Sequence, residues 1–186
     1  MADLKKLAVK LGTDGPHKVL PARRMIKILY NGSYIVQTTD ASYVWEHPYY
    51  PQFYVPYAAI ATSDITDGDT IATDDGKPIG KQLTLTVGDK STSNLVAFDD
   101  TLAGPGQALA GLVKIDYDSM DAWFEEDTPV YVHPKDPFKR IDILASARHV
   151  RVFVDGVQVA RTSMSSHLYE GALPCRYYMP FTAVDA

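Results

Sequence analysis

Two stretches of this chain decide its fold because they build the same pattern twice. Residues 24–38 read RMIKILYNGSYIVQT, and residues 148–162 read RHVRVFVDGVQVART. Each stretch is rich in β-branched and aromatic residues on both sides of a two-residue turn, Asn-Gly at 31–32 and Asp-Gly at 155–156. These residue types tolerate the positive φ of a tight β-turn. Both stretches therefore predict a β-hairpin.

The likeness extends beyond the hairpins without a gap. At a constant offset of 124, residues 24–56 align with residues 148–180. The identical pairs are Arg24/Arg148, Gly32/Gly156, Thr38/Thr162, Ser42/Ser166, Glu46/Glu170, Tyr54/Tyr178 and Pro56/Pro180. Two segments this alike predict one supersecondary unit built twice. A pocket between two such units would be a natural ligand site.

The rest of the chain also reads as short strands. Residues 82–87 and 112–117 alternate apolar and polar side chains, and turn residues recur every 8–12 positions. This spacing favours an all-β, mainly antiparallel sandwich or partly open barrel with very little helix. We expect residues 1–20 to form an arm with at most one helical turn. Residues 21–186 should form a single domain with two pseudo-symmetric β units, the repeats at 24–56 and 148–180.

Two intervening segments carry weaker predictions. Residues 62–79 are rich in Asp, Thr and Gly and read as a loop with one weak strand at most. Residues 118–127 read as a single helical turn that projects aromatic side chains.

Composition excludes several classes of protein. The 186 residues are 46% hydrophobic and 22% charged, as in an ordinary globular domain. A net charge of −5 without a basic run argues against a nucleic-acid partner. A lone cysteine, Cys175, cannot form an intrachain disulfide, which is typical of a reducing compartment. Since no apolar stretch reaches membrane-spanning length and the N-terminus lacks a secretory core, we expect a soluble cytoplasmic protein with no membrane partner.

Longer motifs in the chain resemble the domain of unknown function family 427. They are the segments 120–127, 133–140, 146–152, 169–174 and 176–180, together with 45–51 for the family's first unit. The resemblance implies a small tent-like fold, in which two antiparallel sheets join along one edge and splay to leave a cavity. A nucleotidyltransferase label is sometimes attached to the family. It finds no support in Asn31-Gly32-Ser33, which lacks the following paired aspartates that would hold Mg²⁺.

Two departures from the family pattern affect the expected assembly. The family's Cys-Pro-Tyr-Lys-Gly segment is here only Lys77-Pro78-Ile79-Gly80. The sequence also ends shortly after Pro180, where two-unit relatives usually continue with closing strands. We expect the missing strands to come from the middle segment or from another subunit. An open sheet edge invites pairing, so a homodimer is a reasonable hypothesis.

Glu46 and Glu170 occupy equivalent repeat positions and are candidate catalytic carboxylates. If a pseudo-twofold axis brings them together, their pKa values would split and supply an acid and a base. The alternative is structural: each glutamate accepts backbone N–H groups of the following turn or pairs with Arg24 and Arg148.

His47 breaks the repeat, because its counterpart is Gly171. A histidine beside Glu46 is a candidate general acid or base near neutral pH. The alternative is an imidazole that packs on Pro48 and caps the turn. His133 is a candidate ligand-binding residue, with a turn residue bonded to Asp136 as its alternative.

Aromatic and cationic side chains complete the predicted site. The expected cavity wall is formed by Trp45, Tyr50, Tyr54, Trp123 and Tyr177. Arg148 is assigned to a developing oxyanion, and Arg176 and Arg140 to an anionic substrate group. The alternative for the arginines is internal pairing with Glu170 or Asp142. The acidic trio at 125–127 reads as a solvated face or as part of a cap over the opening.

No spacing of histidines or cysteines indicates a metal, and no glycine-rich motif indicates a nucleotide cofactor. The sequence therefore favours a small-molecule pocket protein, a cofactor-independent acid–base enzyme of the isomerase, dehydratase or cyclase kind. Its substrate would be a largely apolar metabolite. The alternatives are a non-catalytic binder of a hydrophobic ligand and an assembly module with an open strand edge.

Overall fold

Strands dominate the structure, and the predicted all-β class is confirmed. A computed structural model describes residues 3–61, 65–171 and 173–184. Within it the chain divides into two compact units: unit 1 is Met1–Trp123 with Val130–Pro134, and unit 2 is Phe124–Pro129 with Lys135–Ala186. None of the helices among the described residues is long and apolar enough to cross a membrane.

Unit 1 begins with a helix and continues as strands. Its elements are α1 (Leu4–Asp14), β1 (Lys18–Pro21), β2 (Ile26–Tyr30), β3 (Ser33–Thr38), β4 (Ser42–Trp45), β5 (Gln52–Pro56), β6 (Ile65–Ala72), β7 (Pro78–Val87), β8 (Lys90–Phe98) and β9 (Leu112–Ile115). Short 3₁₀ helices lie at Tyr57–Ala59, Gly104–Leu109 and Tyr117–Ser119. The chain passes between the units within β10 (Ala122–Glu125) and β11 (Thr128–Val130).

Unit 2 contains only short strands and one helical turn. Its elements are β12 (Ile141–Ser146), β13 (Val150–Val154), β14 (Val157–Thr162), β15 (Ser165–Glu170) and β16 (Arg176–Tyr178), followed by a 3₁₀ helix at Phe181–Ala183. The order β12-β15-β16 forms one sheet, and β13-β14 forms a separate hairpin.

A seven-stranded antiparallel sheet in the order β1-β4-β5-β9-β8-β7-β6 organises unit 1. Side chains alternate across this sheet, so Tyr43 and Trp45 enter one core while Val44 enters another. The second core also receives Leu11 of α1. Both faces of the sheet are thus covered, which explains why β4 and β5 are buried almost throughout.

Both predicted hairpins are confirmed, and their turns are alike. Asn31 and Gly32 have φ values of 47° and 74°, and Asp155 and Gly156 have 49° and 81°. The strand registers also match at the offset of 124, including a bulge after the third pair of each hairpin. The same local chemistry therefore builds the same hairpin twice.

The structural correspondence reaches further than the sequence likeness. β1 pairs with β4 as β12 pairs with β15, with Pro21↔Ser42 matching Ala145↔Ser166. The 3₁₀ helices after β5 and β16 also correspond, as do the bridges Val36↔Ile60 and Ala160↔Val184. Among the described residues, equivalent secondary structure therefore extends over 18–60 and over 142–171 with 173–184, at the same offset.

The expectation of at most one helical turn in residues 1–20 is wrong, because residues 4–14 form an eleven-residue helix. Asp3 caps it by accepting from the backbone N–H groups of Lys5 and Lys6, at 3.1 and 3.2 Å. Leu4, Leu7 and Leu11 pack against the second core at helical spacing. Burial of this apolar stripe stabilises a segment whose own periodicity is weak.

Another local prediction is wrong. The helical turn expected over residues 118–127 is mostly strand β10 and the turn after it, because Trp123 is buried in the unit 1 core. The one strand allowed within the expected loop at 62–79 is β6, which is eight residues long and pairs with β7. Residues 62–64 of that prediction lie outside the described residues.

The two repeats differ at one sheet edge. In unit 1, β5 pairs with β4 on one side and with β9 on the other. Among the strands that the structure describes, β16 pairs with β15 and no further strand continues that sheet. The middle segment thus supplies a partner strand to the first repeat.

Candidate functional site in unit 2

A buried set of positions is apolar in the first repeat and polar in the second. Ala41, Tyr43 and Trp45 form the inward face at β4, and Ser165, His167 and Tyr169 form the same face on β15. Buried Ala22 likewise corresponds to buried Ser146, and buried Phe53 to Tyr177, which is half exposed. The spacing of the rings is similar: the Tyr43–Phe53 and His167–Tyr177 centroids lie 5.2 and 4.7 Å apart, with interplanar angles of 35° and 75°. The second repeat therefore keeps the packing scheme and introduces hydrogen-bonding groups into it.

Glu126 is the charged group at which these polar side chains meet. Its side chain is fully buried, and Oε1 accepts from the Tyr169 hydroxyl at 2.7 Å and from Arg148 Nη1 at 3.2 Å. Oε2 accepts from the Ser146 hydroxyl at 2.8 Å. Three donors on one carboxylate stabilise its ionised form and compensate for its removal from water.

The backbone at Glu126 is also unusual. Its φ is 53°, in the left-handed region that glycine, asparagine and aspartate usually occupy. Residues 126 and 127 make the two-residue turn between β10 and β11. A glutamate in this conformation is strained, and such outliers cluster at functional sites.

His167 lies against this carboxylate without a hydrogen bond to it. Its Nδ1 is 3.5 Å from Glu126 Oε1, and Nδ1 is a buried polar atom with no hydrogen-bond partner. On the other side of the ring, Nε2 is 3.0 Å from Ser165 Oγ. Burial lowers the pKa of His167, against the opposing effect of Glu126. The imidazole is therefore neutral at pH 7 and able to accept a proton.

An open cavity of about 570 Å³ lies in front of these groups. Ser146 and Ser165 contribute to its wall, together with apolar side chains that include Met164 and Met179. The volume is in the range of small-molecule sites. Two of the residues that line the cavity thus connect it to the cluster, Ser146 through its hydrogen bond to Glu126 and Ser165 through its contact with His167.

Cys175 and Tyr177 flank the cluster. Burial raises the pKa of the Cys175 thiol, with hydrogen bonding to Tyr169 and Tyr177 opposing it. Burial also raises the pKa of Tyr177, and the neighbouring Cys175 adds to the shift. Both groups are protonated at neutral pH, which argues against Cys175 as a nucleophile.

A second set of charged side chains in unit 2 pairs within itself, with Arg140 at its centre. Arg140 donates through Nη1 and Nη2 to the two oxygens of Glu125, at 2.9 and 2.7 Å, and through Nε to Asp142. A bidentate contact of this kind holds the guanidinium rigidly. Of the two roles considered for Arg140, this geometry supports internal pairing rather than substrate anchoring.

Comparison of the chain with known protein families identifies the family to which it belongs. The chain matches the profile of the domain of unknown function DUF427 over residues 18–126 and 142–186. The protein belongs to the DUF427 family. No curated protein matches the chain in sequence. The second matched segment contains Ser165, His167 and Tyr169, and the first ends at Glu126.

In this DUF427 protein, the predicted carboxylate Glu46 has partners in unit 1. Lys114 Nζ lies 2.7 Å from Glu46 Oε1, and the Tyr54 hydroxyl donates to the same oxygen at 3.0 Å. Tyr54 is fully buried, and burial with the adjacent carboxylate raises its pKa well above the ordinary value. These contacts have the character of a structural network within unit 1.

Three other predicted residues come together in unit 1. The Tyr50 ring stacks on His133 with centroids 3.9 Å apart, and the His47 and Tyr50 centroids lie 4.3 Å apart with the two rings at 81°. His47 Nδ1 accepts from the backbone N–H of Tyr49 at 3.2 Å, as in its turn-capping alternative. His133 Nδ1 lies 2.8 Å from the carbonyl of Pro134, a contact different from the expected bond to Asp136.

The predicted aromatic wall is divided between core and surface. Trp45 and Trp123 belong to the first core of unit 1, where Trp123 Nε1 donates to the carbonyl of Tyr117 at 3.0 Å. Tyr177 in unit 2 is 49% exposed and packs on His167. Buried tryptophans with satisfied N–H groups stabilise the fold and offer little surface to a ligand.

Glu170 and Arg176 pair with each other in unit 2. Arg176 Nη1 lies 3.5 Å from Glu170 Oε2, and both side chains are about half exposed. Exposed pairs of this kind contribute little to stability. The equivalents Glu46 and Glu170 thus have unlike surroundings, since Glu46 is partly buried beside a buried lysine and Glu170 is about half exposed.

Sequence reasoning missed the centre of the unit 2 cluster. In the sequence Glu126 belongs to an acidic trio that resembles a solvated face, and no local motif distinguishes His167 or Ser165. A signal was present in the repeat itself: at the inward positions, apolar residues of the first repeat are replaced by Ser, His and Tyr in the second. Arg148 and Tyr177 are the predicted residues that contact this cluster.

The described residues contain no group of three or more His, Cys, Asp or Glu side chains placed to hold a metal ion. What the cluster can do chemically is accept and donate protons through His167, Glu126 and two serine hydroxyls.

Proposed function

We propose that this protein is a cofactor-independent acid–base enzyme whose small-molecule substrate occupies the cavity of unit 2. One observation carries the proposal: His167 is buried beside a hydrogen-bonded carboxylate, with Nδ1 unpartnered and Nε2 on a serine that lines the cavity. Buried, unsatisfied polar atoms are rare in folded proteins and call for an explanation. A proton-transfer role supplies one.

The repeat supports this proposal independently. The first repeat shows that an apolar set of side chains suits the same buried positions. Replacing a buried polar network with apolar side chains is often neutral or stabilising. Retention of Ser, His and Tyr in the second repeat is thus better explained by activity than by stability.

The cavity suits an uncharged or weakly polar metabolite. Met164, Met179 and Pro180 supply apolar surface, while Asp127 adds a negative charge to the wall. Isomerisation, dehydration, cyclisation and hydrolysis are all within reach of neutral histidine and carboxylate groups. The lone cysteine is compatible with a cytoplasmic location.

The test is untargeted conversion of metabolites. The wild-type protein is incubated with a fractionated metabolite extract, and chromatography with mass spectrometry identifies compounds that are consumed or formed. His167→Asn and Glu126→Gln should each slow that conversion by roughly 100-fold or more. His47→Gln, a histidine substitution in unit 1, is the matched control and should leave the rate unchanged.

Two outcomes would contradict the proposal. Compounds that co-purify with the protein but are never converted would identify a non-catalytic binder. A conversion that His47→Gln abolishes and His167→Asn does not would place the chemistry in unit 1.

Assembly is a separate proposal. The edge strand β16 and the exposed side chains of Ile141, Ile143 and Phe181 in unit 2 support a homodimer that pairs through this sheet edge. Native mass spectrometry should show a dimer in the micromolar range, and a strictly monomeric protein would refute it.

A further inference from the structure

Three side chains in unit 2 are arranged as a nucleophile, its general base and a carboxylate that orients the base would be. Ser165 Oγ is 3.0 Å from His167 Nε2, and His167 Nδ1 is 3.5 Å from Glu126 Oε1. A nucleophile–base pair is expected at 2.6–3.2 Å, often looser before substrate binds. Such a constellation is recognised by geometry and roles rather than by sequence order.

We propose that Ser165 is the nucleophile of an acyl-transfer reaction, with His167 as its general base and Glu126 as the residue that positions the imidazole. The proposal rests on the proposed function of the same cluster and specifies its reaction. The substrate class is an uncharged carboxylic ester with an apolar acyl group, because Met164, Met179 and Pro180 line the cavity beside Ser165.

Each partner of His167 is suited to this role. Glu126 faces Nδ1, so the tautomer with a proton on Nδ1 is favoured and Nε2 is left to accept from the Ser165 hydroxyl. Glu126 itself is held by Tyr169, Ser146 and Arg148. When Nε2 gains a proton, the imidazolium is attracted to the carboxylate, which closes the 3.5 Å gap to a hydrogen bond.

The reaction balances with water as the only co-reactant. Ser165 Oγ attacks the ester carbonyl carbon while its proton passes to His167 Nε2. The tetrahedral intermediate collapses with cleavage of the ester C–O bond, and the leaving alcohol takes the proton from Nε2. Water then attacks the acyl-serine in the same way, which releases the carboxylic acid and restores Ser165. Arg148, the cation bound to this cluster, is assigned to the oxyanion charge.

The experiment is covalent trapping of the intact protein by a fluorophosphonate probe, followed by peptide mapping. One adduct per chain is expected, on Ser165, and an equimolar burst of p-nitrophenol is expected with p-nitrophenyl acetate. Ser165→Ala should abolish both signals. It should also fold, because the equivalent position of the first repeat is a buried alanine, Ala41.

Further variants separate base and nucleophile. His167→Asn should slow labelling by roughly 100-fold or more, since general-base catalysis is removed. Ser42→Ala changes the serine equivalent to Ser166 in the first repeat, within unit 1, and should label at the wild-type rate. Glu126→Gln should alter the pH profile of labelling, because the charge beside the imidazole is lost.

Two results would overturn the inference: no adduct on folded wild-type protein, or an adduct that Ser165→Ala leaves in place. Its failure is distinguishable from that of the proposed function. If metabolite conversion depends on His167 but Ser165 is never acylated, the acid–base function stands and the nucleophilic role falls.

Discussion

Removal of the Tyr169 hydroxyl is the cleanest probe of the buried cluster. In Tyr169→Phe the ring remains, but Glu126 Oε1 loses a donor at 2.7 Å inside unit 2. Hydrogen bonds to charged groups contribute about 1.5–3 kcal/mol, and the buried carboxylate keeps Ser146 and Arg148 as its other donors. We expect the free energy of opening of β15 to fall by that amount.

The assay has to report on unit 2 specifically. Both tryptophans, Trp45 and Trp123, lie in unit 1, so intrinsic fluorescence does not serve. Hydrogen exchange of peptides from β15 measures local opening, and the expected loss corresponds to roughly 10- to 150-fold faster exchange. Tyr178→Phe removes an exposed hydroxyl in the same unit and should change exchange less than about twofold.

A double-mutant cycle decides whether the effect comes from the hydrogen bond. Once Glu126→Gln has removed the charge, Tyr169→Phe should cost less, with a coupling energy of about 1 kcal/mol or more. Equal costs in the two backgrounds would refute the claim that Tyr169 acts through Glu126. A wild-type exchange rate in Tyr169→Phe would refute the burial of the cluster itself.

Three other predictions concern the Lys114–Glu46 pair, the protonation of His167 and the turn of the second hairpin. Lys114→Met should destabilise unit 1 by about 3–5 kcal/mol, measured by tryptophan fluorescence in urea, because it leaves the partly buried Glu46 without its cation. Adding Glu46→Gln to the same protein should recover most of that loss. Burial lowers the pKa of His167 in the folded state below its unfolded-state value of about 6.5. The stabilising contribution of the neutral imidazole is therefore complete above about pH 6.5 and is lost as the pH falls through the lower folded-state pKa. The protection of β15 against hydrogen exchange, corrected for the intrinsic pH dependence of amide exchange, should therefore fall below about pH 6.5, and less so in His167→Asn. Gly156→Ala should destabilise the second hairpin by about 1 kcal/mol, because Gly156 has a φ of 81° that alanine adopts only with strain. Steric clash adds nothing, since no atom lies within 4 Å of the added methyl group. Unchanged hydrogen exchange of β13 would contradict this prediction.

The two repeats show which elements of secondary structure can be predicted from residues close in sequence. Alternating β-branched residues around Asn-Gly and Asp-Gly were enough to predict both hairpins, because strand period and turn conformation depend on neighbours in sequence. The same information failed for α1, whose apolar stripe is weak until the second core covers it. It also failed for β10, where burial of Trp123 outweighs the polar residues around it.

The candidate site shows what residues close in sequence cannot predict. Equivalence in the repeat directed attention to Glu46 and Glu170, but one pairs with Lys114 and the other with Arg176 at the surface. The charge that gathers the polar groups is Glu126, which has no described counterpart in the first repeat. Its acidic neighbours made it look solvated in the sequence.

The sequence by itself determined the strand pattern, the two hairpins, the doubled architecture and the membership of a β-rich family, since all of these rest on residue types at short, regular spacing. Only the tertiary structure decided which carboxylate is buried and what surrounds it. Glu126 meets Ser146, Tyr169 and His167 across 20–43 positions of chain because β12 and β15 pair side by side. Burial and charge pairing depend on that long-range packing, whereas turns and strand period do not.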